Sequence, residues 1–171
     1  KKHFNMQEYV TKELPAFLSA HFNVDVSKSS ITGHSMGGHG ALTLHLKQPG
    51  VYKSVSAFGP IYNPVVAEWG ITAFTGYLGS VEAGAAHDAS LLCKSYAGPP
   101  MKILVDQGAA DNFLIGEVNQ LQPDALKEAC AASGGKISLD LRMQEGYDHS
   151  YFFISSFIDD HINYHADALG L

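Results

Sequence analysis

The chain has 171 residues, 46% of them hydrophobic, enough to bury one core and to form a single domain over 1–171. A formal net charge of −6 without any basic run argues against a nucleic-acid partner, and no apolar run approaches the length of a membrane span. Two cysteines, Cys93 and Cys130, are too few for a disulfide framework, and there is no Asn-x-Ser/Thr sequon, which points to the cytoplasm.

In chain order, apolar residues at Met6, Tyr9/Val10, Leu14 and Phe17/Leu18 predict a helix over 6–22, with Pro15 kinking it or marking its restart. Ser29 to Thr32 reads as a short buried strand, Met36 to Lys47 as a helix stopped by Pro49-Gly50, and Lys53 to Phe58 as a strand. The stretch 61–100 is dense in Gly, Pro, Tyr and Trp. It reads as a cap-like excursion from the sheet with one or two short helices, the clearest at 88–96. Met101 to Asp106 is a continuous apolar strand of the kind buried on both faces in a parallel sheet. A helix over 121–132 follows, then a strand marked by the alternation of Ile137, Leu139, Leu141 and Met143, a loop over 144–150, and a helix over 151–167. This order predicts an α/β fold with a mostly parallel sheet and helices on both faces. Four strands are few for such a sheet, no signal segment opens the chain and no initiating Met is present, so N-terminal strands are expected to be missing through processing or truncation.

Between the first predicted strand and the helix after it lies Gly33-His34-Ser35-Met36-Gly37. A Gly-x-Ser-x-Gly between strand and helix is the sequence of a nucleophile elbow, in which Ser sits on a sharp, strained turn. Gly33 and Gly37 lack Cβ atoms, so strand and helix are expected to approach each other there. The alternative for Ser35 is an anion-binding helix start.

A serine hydroxyl needs a neighbouring base to take its proton, and the base needs an orienting partner. In open α/β sheets such groups sit beyond the carboxyl ends of the strands. The loop after 101–106 offers Asp111, and the loop after the last strand offers His149. The order Ser, Asp, His is that of α/β-hydrolases. Asp106 competes with Asp111, but it still lies on the strand, where it would hold loop backbone. Asp148 adjoins His149 and diverges from it, and Glu145 caps a turn or touches substrate. His34 flanks the nucleophile, where it lines a pocket or simply packs. His39 and His45 read as packing or surface residues. His161 and His165 have a spacing that can hold a metal, yet no third ligand is implied, and no metal site is predicted. Cys93 and Cys130 read as buried thiols.

Three segments together, Gly33-His34-Ser35-Met36-Gly37-Gly38-His39-Gly40-Ala41-Leu42, Tyr52-Lys53-Ser54-Val55-Ser56-Ala57-Phe58 and Gln144-Glu145-Gly146-Tyr147-Asp148-His149-Ser150-Tyr151, resemble the S-formylglutathione hydrolase (esterase D) family. Asn63-Pro64, Trp69-Gly70 and Gly76-Tyr77-Leu78-Gly79 fit as well. The resemblance covers essentially the whole chain and implies the C-terminal three-fifths of an α/β-hydrolase. It implies cleavage of the thioester S-formylglutathione to glutathione and formate, the last step of glutathione-dependent formaldehyde detoxification, without metal or organic cofactor. The family's triad falls on Ser35, Asp111 and His149, and one oxyanion donor on the Met36 backbone N–H. Its second donor comes from a loop after an early strand, which is expected to precede Lys1. Trp69 and Tyr77 are candidates for shaping the acyl or glutathione pocket. The implied partner is this small-molecule substrate, with a second copy of the chain or the N-terminal part as further partners. The alternatives are a broad small-ester carboxylesterase on the same triad, or an inactive truncated fragment.

Overall fold

Four strands, β1 (Ile31–His34), β2 (Val55–Phe58), β3 (Met101–Gly108) and β4 (Ile137–Gln144), lie side by side in chain order, every neighbour parallel. This is the arrangement in the computed structural model, which describes residues 5–116 and 119–171. Alternation along the strands decides what goes to each face. Val55, Ala57, Ile103 and Val105 enter the hydrophobic core. Their neighbours Ser56, Phe58 and Asp106 face the other way and meet a histidine, His161. The core face is covered by α3 (Met36–Lys47), α5 (Ala89–Lys94) and α7 (Pro123–Ala131), through Ala41, Leu42, Cys93, Leu126 and Cys130. The opposite face is covered by α8 (Tyr151–Leu169), the element that carries His161. The expected parallel sheet with helices on both faces is what forms.

The N-terminal helical stretch is three pieces without a break: α1 (Met6–Glu8), a π-helical turn Tyr9–Glu13, and α2 (Leu14–His21). Pro15 has no N–H to donate one turn back, and the wider π turn lies directly upstream of it. β1 begins two residues later than the predicted start at Ser29. Pairing still starts earlier, because Lys53 N–H donates to Ser29 O and Ile31 N–H to Ser54 O.

The excursion over 61–100 is more helical than its composition suggests. It holds α4 (Glu68–Leu78), a 3₁₀ turn (Glu82–His87) and α5, which the buried Asp88 caps by accepting from Leu91 N–H at 3.0 Å. The one or two short helices expected there are α4 and α5, and α4 could not be placed from the sequence because Gly70 and Gly76 look like breakers. A Cβ on Gly70 would lie 1.9 Å from Pro64 O, so that glycine serves close packing inside a helix. A short helix, α6 (Asn112–Ile115), was also missed. It is only one turn long and rests on the Asp111 side chain, which accepts from Phe113 N–H at 2.9 Å.

Candidate active site

Everything at the site follows from where β1, β2, β3 and β4 end. At the end of β1 the chain turns sharply into α3, and Ser35 takes φ 56° and ψ −118°, a conformation an L-residue rarely adopts. Holding it there costs roughly 1–3 kcal/mol, which the surroundings must offset. One hold is visible: Ser35 N–H donates to Phe58 O, the last residue of β2, at 2.9 Å. The other is glycine packing, but not in the expected pair. A Cβ on Gly33 would stand 2.2 Å from Gly37 O, and one on Gly38 would stand 2.9 Å from Pro60 Cβ. A Cβ on Gly37 would meet nothing within 4 Å. Gly33 and Gly38, not Gly37, let strand and helix close, because the second glycine of the motif points away from β1.

The next residue after Phe58 is Gly59, whose N–H donates to Asp106 O at 2.8 Å. A Cβ there would lie 3.2 Å from two atoms of the His149 ring and 3.6 Å from Asp111 Oδ2. Gly59 therefore lets the ends of β2, β3 and the β4–α8 loop converge. His149 Nδ1 lies 2.5 Å from Asp111 Oδ2. Burial pushes the Asp111 carboxyl up, but hydrogen bonds from His149, Phe113 N–H and Gln107, together with the His149 charge, outweigh it and hold it below the ordinary range. An ionised Asp111 can only accept, so the proton between them sits on His149 Nδ1. In the neutral ring this leaves Nε2 as a bare acceptor. It is buried and has no hydrogen-bond partner among the described residues.

Around this pair stand aromatic walls. The His34 ring is 4.5 Å from His149 and 6.1 Å from Tyr151. Burial, then the charge of His149, pushes the His34 imidazole below its usual value, so it is a neutral neighbour. Phe113 stands edge-on to His149 at 5.0 Å, and Trp69 stands edge-on to Phe113 at 5.0 Å. Trp69 is thus one ring removed from His149. Tyr77 shares a surface groove with Trp69, eight residues and about 12 Å further along α4. Met36 opens α3, where the first backbone N–H groups have no partner within the helix.

Asp106, the competing carboxylate, is committed elsewhere. Its oxygens accept from Arg142 Nε (2.9 Å), Arg142 Nη2, Gln144 Nε2 (2.7 Å) and His161 Nε2 (2.8 Å). His161 and His165, whose spacing could suit a metal, instead share one serine. Ser56 Oγ lies 2.8 Å from His161 Nδ1 and 2.8 Å from His165 Nε2. Asp148 accepts from Ser150 N–H and takes no part in orienting His149.

Sequence reasoning passed over Gln107, Tyr62 and Gly59. Gln107 carried a usable signal. It has the parity of Ile103 and Val105, so it is an amide on the core face of a buried strand. Gly59 and Tyr62 offered none, because their role depends on contacts from elements distant in the chain.

The chain matches the Esterase family over residues 1–164. It is 54% identical to an S-formylglutathione hydrolase of Bos taurus over 170 residues, 99% of this chain and 59% of that protein. It is 49% identical to one of Arabidopsis thaliana over 172 residues, again 99% and 59%. A solved S-formylglutathione hydrolase from Agrobacterium tumefaciens superposes with a TM-score of 0.89 at 46% identity, covering 98% of this chain and 58% of that one. The α/β-hydrolase architecture is shared throughout its length, and the chain spans just under three-fifths of the length of these relatives.

Proposed function

We propose that this chain, which belongs to the Esterase family, carries the catalytic triad of a serine hydrolase that cleaves S-formylglutathione to glutathione and formate. The observation that carries this reading is His149, with one ring nitrogen tied to a buried aspartate and the other open beside the elbow. The names of the relatives support the choice of thioester. In the proposed mechanism, His149 Nε2 takes the Ser35 hydroxyl proton as Oγ attacks the formyl carbon. The oxyanion then draws on Met36 N–H at the positive end of α3. The C–S bond breaks, the glutathione sulfur leaves with the proton from His149, and a formyl ester remains on Ser35. Water, deprotonated by His149, attacks that ester and releases formate. A thiolate leaves readily near neutral pH, so the demand on His149 as acid is smaller than for an amine. His34, Trp69 and Tyr77 are the proposed pocket walls, with 61–100 as a cap-like segment of a single 1–171 domain. The proposed location is cytoplasmic, on the strength of two buried free thiols.

A fluorophosphonate probe is expected to label Ser35, and Ser35→Ala should lose roughly 10⁴- to 10⁶-fold in S-formylglutathione turnover. Labelling of another serine with Ser35 left free would overturn the assignment. Faster turnover of a longer-chain ester would move the substrate class to carboxylic esters on the same triad.

A further inference from the structure

Asp111 is usually thought of through the histidine it serves, yet half of its hydrogen-bonding capacity is used on the other side. Gln107, the penultimate residue of β3, donates from Nε2 to Asp111 Oδ2 at 3.0 Å and to Gly108 O at 3.1 Å. Its Oε1 accepts from the Tyr62 hydroxyl at 3.1 Å. Tyr62, Gln107 and Asp111 are all fully buried. A chain Tyr62→Gln107→Asp111←His149 therefore runs through the dry side of the site, and none of the first three groups can borrow a hydrogen bond from water.

The amide orientation is forced by this geometry. One end of the Gln107 side chain faces two acceptors, Asp111 Oδ2 and Gly108 O, so the NH₂ must point there. The oxygen then faces Tyr62, which supplies the proton it needs. Tyr62 is itself fixed at its backbone, where its N–H donates to Leu121 O and its carbonyl accepts from Ser90 N–H and Oγ. On Asp111, Phe113 N–H holds Oδ1 while Gln107 holds Oδ2. The carboxylate cannot rotate, and what remains of Oδ2 is aimed at His149 Nδ1.

We propose that Gln107, oriented by Tyr62, is a positioning residue that fixes the Asp111 carboxylate so that it presents Oδ2 to His149 as an ionised acceptor. This rests on reading Asp111 and His149 as orienter and base. The role concerns the transition state, in which His149 becomes positively charged and the fixed carboxylate stabilises it; substrate binding does not call on it. The signature is therefore a loss in kcat with KM preserved.

The test is made in the natural protein with Gln107→Leu, which keeps volume and removes the amide, and Tyr62→Phe, which keeps the ring and frees the amide to flip. Hydrogen bonds to charged groups of this kind correspond to about a ten- to hundredfold effect. Gln107→Leu is expected to lower kcat on S-formylglutathione by about that much with KM within about twofold. Tyr62→Phe should act in the same direction and more weakly, and in the Gln107→Leu background it should add nothing. The second readout is the far-downfield proton resonance of the His149–Asp111 hydrogen bond, which is assigned by its loss in Asp111→Asn. It should move or broaden in both variants, whereas a merely structural glutamine would leave it in place in folded protein. Unchanged kcat and an unmoved resonance in either folded variant would overturn the proposal. If Ser35→Ala keeps full activity, the hydrolase reading fails instead, and the resonance still decides whether Gln107 positions Asp111. If Gln107→Leu does not fold, Tyr62→Phe carries both readouts.

Discussion

Among the described residues two histidines pair with buried aspartates, and the two pairs are built to opposite specifications. His149–Asp111 lies beyond the strand ends, with one ring nitrogen bonded and Nε2 open. His161–Asp106 lies under the sheet, with both ring nitrogens engaged, Nε2 by Asp106 and Nδ1 by Ser56. Among the described residues the first aspartate has one histidine partner and no salt bridge to a permanent cation. The second is also gripped by Arg142, which reaches on to Asp160 at 2.8 Å. Burial acts on both carboxyls in the same sense, and in both the hydrogen bonds outweigh it and hold the pKa below the ordinary range. A depressed pKa therefore does not distinguish the candidate site from a strut. What distinguishes them is unspent valence: a base must keep a lone pair free, and a strut must not.

The largest expected effect comes from replacing each carboxylate by its amide. Asp111→Asn should cut turnover about 10⁴-fold while leaving the protein folded, because an amide can donate to Nδ1 and favours the wrong tautomer of His149. Asp106→Asn should do the reverse. It takes from Arg142 one of its two carboxylate partners, Asp160 remaining at 2.8 Å, and leaves His161 facing an amide, a loss on the order of 1–3 kcal/mol. Turnover per folded molecule should change little. Kinetics and urea unfolding on both variants check the pairing. A folded Asp106→Asn protein with the 10⁴-fold loss, beside an active Asp111→Asn, would reverse the assignment.

The next effect sharpens the contrast by crowding only one pair. Gly59→Ala places a Cβ 3.2 Å from the His149 ring at a φ of +44°, so both strain and contact fall on the open pair. Displacement of His149 should lower kcat, by up to about 10²-fold if the shift approaches about 1 Å. Thermal stability should fall by only about 1–2 kcal/mol, the strain of a left-handed alanine. A Gly59→Ala enzyme of normal activity would mean that His149 has slack.

The two pairs also differ in how far the sequence revealed them. That Ser35, Asp111 and His149 come after strands was legible, because the strands were marked by the elbow motif, by the apolar run over 101–106 and by the alternation over 137–143. The competition between Asp106 and Asp111 was legible in outline, since a residue still on the strand points at a face of the sheet and not beyond its end. The strut was not legible. His161 and His165 sit four apart on a helix, a spacing that fits a metal pair, a surface pair or a buried pair equally well. Only the register of β2 against β3, Ser56 opposite Leu104 and Phe58 opposite Asp106, brings Ser56 and Asp106 under the same histidine. Such a network depends on three non-local alignments, and a local pattern carries no record of them. The helix α4 could not be placed for a related reason: its Gly70 answers to Pro64 and not to its own neighbours.

The smallest expected effect is the strut's own share of the pH dependence of stability. His165 ends the network, hydrogen-bonded to Ser54 at Nδ1 (2.7 Å) and to Ser56 at Nε2, with Ser54 passing on to Ser30. Burial, and then the neighbouring His161, pushes its pKa down to about 4 from an ordinary 6.5. The unfolded chain therefore takes up a proton at His165 below pH 6.5 while the folded protein resists it down to about pH 4. Stability from this group is complete above pH 6.5 and declines as the pH falls through that window. Since the ring is only half-buried, solvent screening discounts the effect to about 1–2 kcal/mol. Asp106 contributes with the opposite logic and at lower pH. Its folded pKa is depressed, so its contribution is present above the unfolded carboxyl value, near pH 4, and is lost below it. The two windows adjoin without overlapping. His34, His39, His45 and His87 are also pushed down by burial and slope the same way, so the measurement must be a difference. Urea unfolding of the natural protein and of His165→Asn from pH 7 to 4 should give curves that converge toward the acid end, the natural protein losing about 1–2 kcal/mol more. Parallel curves would show that His165 can be protonated in place, and that the strut is more open to solvent than its hydrogen bonds imply.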